Sequence, residues 1–206
     1  MCSIIGSFSK DDIIKLCELN AYRGQLSHSI SYITQNNVMS SMRSMPGKID
    51  YNDINIPENS YCLVHLQAPT SKIYDKYIHP SICTGNFLWH NGIVKQSEIE
   101  RLNEEYKSNY DWDTDLINCL ISHQGPAVLS DVDGSFACVW HDIKNLYIFR
   151  NELAPLFLDA YMNMSSTKFE GSYSILPNIF YKIDLKFLNI IETAVFKTKQ
   201  NPYYFG

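Results

Sequence analysis

The first apolar run, residues 2–8, holds Ile4, Ile5 and Phe8 and predicts a strand. Ser9 with Asp12 forms a capping-box pattern ahead of Ile13, Ile14, Leu16, Cys17 and Leu19, whose spacing predicts a helix. Residues 28–34 read as a second strand. Residues 35–60, rich in Asn, Ser, Met and Pro, read as a long loop with room for short strands. Residues 61–67 and 84–90 read as buried strands. Ser97 with Glu100 gives another capping box, opening a helix to about Lys107. A further helix is expected over 113–123, with Leu116, Ile117, Leu120 and Ile121 on one face. Residues 135–140 and 146–149 flank Asp142-Ile143-Lys144-Asn145, a hairpin signature. Beyond Leu156, apolar and aromatic runs broken by Gly and Pro read as more strands. The pattern is α+β with abundant strand.

Composition narrows this. A chain of 206 residues suits one domain with a sizeable core, and 45% hydrophobic with 19% charged residues is ordinary for a soluble protein. The net charge is -5, and no Lys/Arg cluster gives nucleic-acid binding electrostatic support. Cys2, Cys17, Cys62, Cys83, Cys119 and Cys138 make no CxxC or CxxH pair, so no metal site is expected. Their scatter suits reduced thiols better than a disulfide framework, with Cys17, Cys62, Cys119 and Cys138 as core. No apolar run approaches the ~18 residues of a membrane span, and Lys10-Asp11-Asp12 follows the start too soon for a signal peptide. A cytoplasmic location is the resulting expectation.

Three segments carry chemistry. The chain opens Met1-Cys2-Ser3-Ile4-Ile5-Gly6, and a small residue after the initiator permits Met1 removal. Cys2 would then hold a thiol and a free α-amino group together. The amine, with an ordinary pKa of roughly 7.7–8.0, can take the thiol proton and return it to a leaving amine. The plainer alternative is a cysteine that merely starts a buried strand. His90-Asn91-Gly92-Ile93 is either a tight turn, for which Asn-Gly is a strong signal, or an oxyanion hole built from a carboxamide and a glycine N–H. Trp112-Asp113-Thr114-Asp115 is either a helix start whose side chains satisfy free N–H groups, or a rigid carboxylate that pairs with an ammonium group. His65, His90 and His123 read as structural or surface residues, because an N-terminal amine makes a histidine base unnecessary.

In this order the segments resemble class II glutamine amidotransferase domains, members of the N-terminal-nucleophile hydrolases. Cys2-Ser3-Ile4-Ile5-Gly6 resembles the opening C-G-I-x-G, and Tyr22-Arg23-Gly24-Gln25-Leu26-Ser27 resembles R-G-x-D-S. Val64-His65-Leu66-Gln67-Ala68-Pro69-Thr70 falls at G-H-x-R, His90-Asn91-Gly92-Ile93 at H-N-G-I and Asp113-Thr114-Asp115 at D-T-E. Val132-Asp133-Gly134-Ser135-Phe136-Ala137 resembles L-x-G-x-F/Y-A, ahead of a strand ending near Arg150. The likeness covers about residues 2–160, with a weak echo at Ser165-Ser166. It implies a four-layer αββα sandwich of two mostly antiparallel sheets, and glutamine hydrolysis through a Cys2 thioester without a cofactor. It places Asn91 and Gly92 at the oxyanion, Arg23 beside the N-terminus, Asp113 on the substrate ammonium, and Gln67 and Thr70 in the substrate pocket.

Two departures matter. Gln67 stands where the family uses Arg to grip the glutamine carboxylate, and it offers hydrogen bonds but no charge. Leu26 replaces the family aspartate. Arg43, Lys72 and Lys95 are the candidate replacement cations. With no synthase segment in the chain, the expected partner is a separate synthase that accepts the ammonia. Two rivals remain: an amidase for a different amide, and a non-catalytic regulatory subunit that keeps the fold. The closing residues 200–206 read as a tail.

Overall fold

The computed structural model describes residues 2–68 and 77–198. Among these residues, thirteen strands and three α-helices follow in the order β1 (Ser3–Ser7), α1 (Lys10–Asn20), β2 (Ser27–Thr34), β3 (Met39–Pro46), β4 (Ser60–Gln67), β5 (Ser81–Cys83), β6 (Asn86–Val94), α2 (Gln96–Tyr106), α3 (Asp113–Gln124), β7 (Gly134–His141), β8 (Leu146–Arg150), β9 (Phe157–Leu158), β10 (Met164–Ser165), β11 (Tyr173–Ser174), β12 (Ile179–Asp184) and β13 (Asn189–Val195). One sheet runs β11-β9-β10-β1-β4-β2-β3, the other β13-β12-β8-β7-β6-β5. Every strand pairing is antiparallel.

The expected four layers are present. Alternate residues of a strand face opposite sides, and the core divides accordingly. Ile4, Tyr61 and Leu63 from the first sheet meet Trp89, Val139 and Ile148 from the second. The outer face of the first sheet offers Ile5, Cys62, Val64 and Leu66 to Ile13, Leu16 and Cys17 of α1. The outer face of the second offers Leu88, Phe136, Cys138 and Phe149 to α2 and α3 through Leu102, Leu116, Ile117, Leu120 and Ile121.

Local signals hold where nothing overrides them. The Ser9 hydroxyl accepts the Asp12 N–H at 3.3 Å and caps α1. Asp142 Oδ1 accepts from the N–H groups of Lys144 and Asn145, which closes the β7–β8 hairpin. Other expectations are corrected. The strand expected over 84–90 starts only at Asn86, as β6: Thr84 and Gly85, both at positive φ, turn into it from β5, a strand not expected. The strand β3 crosses the expected long loop. The helix α2 starts at Gln96 with Lys95, not Ser97, at its N-cap, and has no side-chain cap. Cys83 and Cys119 form a disulfide between β5 and α3, against the expectation of reduced thiols throughout. Among the described residues, no helix is long and apolar enough to cross a membrane, and no group of metal-binding side chains appears. The expected tail lies outside the described residues.

Candidate active site

Cys2 leads into β1, where alternation puts it on the same inward face as Ile4. It is buried, and its carbonyl accepts a hydrogen bond from Arg23 Nε at 3.1 Å. Burial pushes the Cys2 thiol above its ordinary pKa. The Ala68 N–H, hydrogen-bonded to the sulfur, and the Arg23 charge pull it down, while the Asp113 carboxylate pushes it up. Cys2, Arg23 and Asp113 therefore share one electrostatic neighbourhood, although they lie on β1, after α1 and on α3.

Gly24 helps build that neighbourhood. A Cβ there would stand 2.5 Å from the Gln67 carbonyl carbon and 2.6 Å from the Ala68 nitrogen. Only glycine lets the turn after α1 press against the end of β4. Leu26 N–H then donates to the Gln67 carbonyl at 2.9 Å, starting β2 alongside β4.

Asn91 and Gly92 lie inside β6, opposite Ala137 and Phe136 of β7. Here the tight-turn alternative is overturned. Leu88 and Trp89 are fully buried on opposite sides of this strand. Burying such side chains contributes ~1.5–3 kcal/mol each, which exceeds a local turn preference. A Cβ on Gly92 would stand 1.8 Å from the Ser135 carbonyl oxygen, so β6 and β7 could not close with any other residue.

The same ladder orients the Gly92 N–H. Phe136 uses its own N–H and C=O on Asn151, on the far side of β7. The Gly92–Phe136 pair is thus not hydrogen-bonded across β6–β7, and the Gly92 N–H points away from β7. On that edge β5 ends opposite Leu88, and Pro80 before it has no N–H to extend the pairing. The neighbouring groups on this edge are anchored from other elements. His65 Nε2–H donates to the His90 carbonyl at 3.0 Å, and Asp113 Oδ2 accepts the Val94 N–H at 3.1 Å. Asp113 therefore reaches across to β6 rather than capping its own helix, whose N-cap Trp112 gives no side-chain bond.

Behind Asp113 lies a buried imidazole cluster. His65 stacks on His79 at 3.8 Å, and His79 meets Trp112 edge-on. Thr114 Oγ1 stands 3.3 Å from His79 Nε2, 3.2 Å from His90 Nδ1 and 3.3 Å from Asp113 Oδ1. Burial lowers His65 to about 3, and burial with its two neighbouring histidines lowers His79 well below the usual histidine range. Both rings are buried and held neutral near pH 7.

Gln67 is close by but occupied. Its Oε1 accepts from Ser27 Oγ at 3.0 Å, and its Nε2 donates to the Tyr77 carbonyl at 2.8 Å. The residue is 9% exposed, so its carboxamide serves the junction of β2, β4 and Tyr77. Thr70, like Lys72, lies outside the described residues. Arg43 pairs with Asp53. Sequence reasoning missed the Ala68 N–H, His79 and Ser166, the last signalled only by a faint echo. Asn91 Nδ2 donates to Ser166 Oγ at 3.2 Å.

This arrangement was compared with known proteins. No protein-family model and no curated protein matches the sequence. Solved structures do match. Glutamine phosphoribosylpyrophosphate (PRPP) amidotransferase from B. subtilis, complexed with ADP and GMP, aligns with a TM-score of 0.68 at 15% identity, over 93% of this chain and 49% of that one. The chain shares the fold of the matching part of that PRPP amidotransferase structure. A structure described as the allosteric regulatory enzyme of purine biosynthesis aligns with a TM-score of 0.63 at 13% identity, over 89% of this chain and 47% of that one. The chain thus spans about half the length of these two structures.

Proposed function

We propose that the chain is a glutaminase of the class II amidotransferase type. Cys2 attacks the side-chain amide of glutamine, and the ammonia passes to a separate synthase. The observation that carries this reading is that Arg23 Nε holds the Cys2 carbonyl at 3.1 Å while the Ala68 N–H and the Asp113 charge act on the Cys2 thiol, with the Gly92 N–H directed away from β7 on the adjoining strand. It is supported by the fold shared with PRPP amidotransferase.

The chemistry follows from the thiol's environment. Burial holds the sulfur protonated at rest, so its proton must leave as it attacks. His65 and His79 are too poor as bases, and His65 Nε2 is already committed to the His90 carbonyl. With Met1 removed, the α-amino group of Cys2 is the acceptor. Sulfur bonds to the amide carbon while the amine takes the thiol proton. The oxyanion meets the Asn91 carboxamide and the Gly92 N–H, donors that typically contribute ~10²–10³ each in rate. The C–N bond breaks as the amine returns the proton, releasing ammonia. Water then cleaves the thioester to glutamate and restores the thiol. In this account Asp113 receives the substrate ammonium, and Thr70 belongs to the pocket. In this account the chain acts as one domain.

A second reading, hydrolysis of an amide other than glutamine, is favoured by Gln67. Both ends of its carboxamide are bound within the protein, and it carries no charge for a carboxylate. Mature protein assayed against glutamine, asparagine and simple primary amides separates the two. Glutamate release above all other amides supports the first reading. Faster hydrolysis of a carboxylate-free amide supports the second, and no hydrolysis at all defeats both.

A further inference from the structure

The oxyanion role proposed for Asn91 requires that its carboxamide face one way. An Asn side chain turns easily about its last torsion, and its N and O ends are nearly the same shape. Something must fix it, and the fixing group is distant in sequence. Ser166 is buried and follows β10, which pairs with β1. Its N–H donates to the Ile4 carbonyl at 3.0 Å, and its Oγ accepts the Ile4 N–H at 2.9 Å. Ser166 is thereby clamped on both sides to the residue two places after Cys2. The same Oγ accepts from Asn91 Nδ2 at 3.2 Å. The clamp is itself braced, because Ser165 Oγ accepts from Asn20 Nδ2 at 2.8 Å and Thr167 Oγ1 donates to Asn20 Oδ1 at 2.8 Å. Asn20 closes α1, three residues before Arg23.

We propose that Ser166 is a positioning residue: held on the nucleophile's own strand, it takes one N–H of Asn91 and leaves the other directed at the oxyanion formed on Cys2. It ties the two sheets together at the point where nucleophile and oxyanion donor must keep a fixed separation. Its hydroxyl acts through Asn91 and Ile4. This inference rests on the reading of Cys2 as the nucleophile.

The test compares wild type, Ser166→Ala, Asn91→Ala and the double variant. Each is assayed for kcat and KM on the amide that wild type hydrolyses fastest, and for Cys2 alkylation by iodoacetamide. Alkylation forms no oxyanion, so it serves as the control. The expected result is a fall in kcat of about tenfold or more in Ser166→Ala, with KM within about threefold and the alkylation rate unchanged. The double variant should be no slower than Asn91→Ala, because Ser166 acts through Asn91. If Ser166→Ala does not fold, Ser166→Cys, similar in size but a weak acceptor, carries the same expectation. Unchanged kcat, a multiplicative loss in the double variant, or a parallel fall in alkylation overturns the Ser166 role and leaves the Cys2 reading standing. A wild type that hydrolyses no amide overturns the Cys2 reading, and the Ser166 role with it.

Discussion

Acidification tests the buried imidazoles. His65 is fully buried, its Nε2–H committed to the His90 carbonyl and its Nδ1 without a partner among the described residues. Its pKa falls from 6.5 to about 3 in the folded protein, chiefly through desolvation. The unfolded chain binds this proton near pH 6.5, while the folded chain binds it only near pH 3. Between those values the unfolded state holds more protons, so stability falls as pH falls. Each pH unit below 6.5 removes about 1.4 kcal/mol, so at pH 5 this one ring removes about 2 kcal/mol. His79, lowered by burial and by its histidine neighbours, adds to the loss in the same direction. Carboxylates also contribute to acid sensitivity, so the comparison that isolates His65 is with His65→Gln, whose amide can still donate to the His90 carbonyl. Urea unfolding at several values between pH 7.5 and 4.5 gives both curves. The wild-type free energy should fall more steeply than the variant's, by about 1.4 kcal/mol per pH unit below pH 6. With a typical slope of ~2 kcal/mol per molar urea, the relative midpoint shift is about 1 M by pH 5. Parallel curves would refute the reasoning, because they would mean that His65 takes up its proton equally in both states.

Gly92→Ala should abolish activity and lower stability by more than about 3 kcal/mol, because its Cβ would overlap the Ser135 carbonyl backbone; thermal melting and turnover check both. Ser31→Ala should change stability by less than about 0.5 kcal/mol, since Ser31 Oγ is buried without a partner among the described residues and the substitution loses no hydrogen bond; urea unfolding at pH 7.5 measures it. Replacing Cys83 and Cys119 together by Ser should lower stability by up to about 4 kcal/mol, the chain-entropy value for a cross-link spanning 36 residues; equal stability of the oxidised protein and the double variant would contradict a folded-state cross-link.

The ease of reading the chain tracked the range of the forces involved. The cap of α1 and the β7–β8 turn were legible because Ser9 and Asp142 act within three residues of themselves. Asn91-Gly92 was ambiguous because its local signal is a turn, and the deciding contact is the Ser135 carbonyl 43 positions on. The actual turn, Thr84-Gly85, lacks the usual pair of turn residues, so the strand before it went unseen. β3 was legible only as room for short strands in the loop, because its Ser and Met positions are mostly exposed and carry no apolar alternation. The Gln67 departure was visible in the motif, but Ser27 and Tyr77 as its partners required the folded chain. Ser166 acts on Ile4 across 162 residues, a separation that no spacing rule reaches.

The central claim is that Cys2, once it begins the chain, is the nucleophile. The direct test is the intact mass of the purified protein after treatment with 6-diazo-5-oxo-norleucine, an electrophilic glutamine analogue, followed by peptide mapping. The account predicts a chain starting at Cys2 and carrying one adduct, located on that residue and lost in Cys2→Ser. A chain that retains Met1, carries no adduct or carries it elsewhere would contradict the claim.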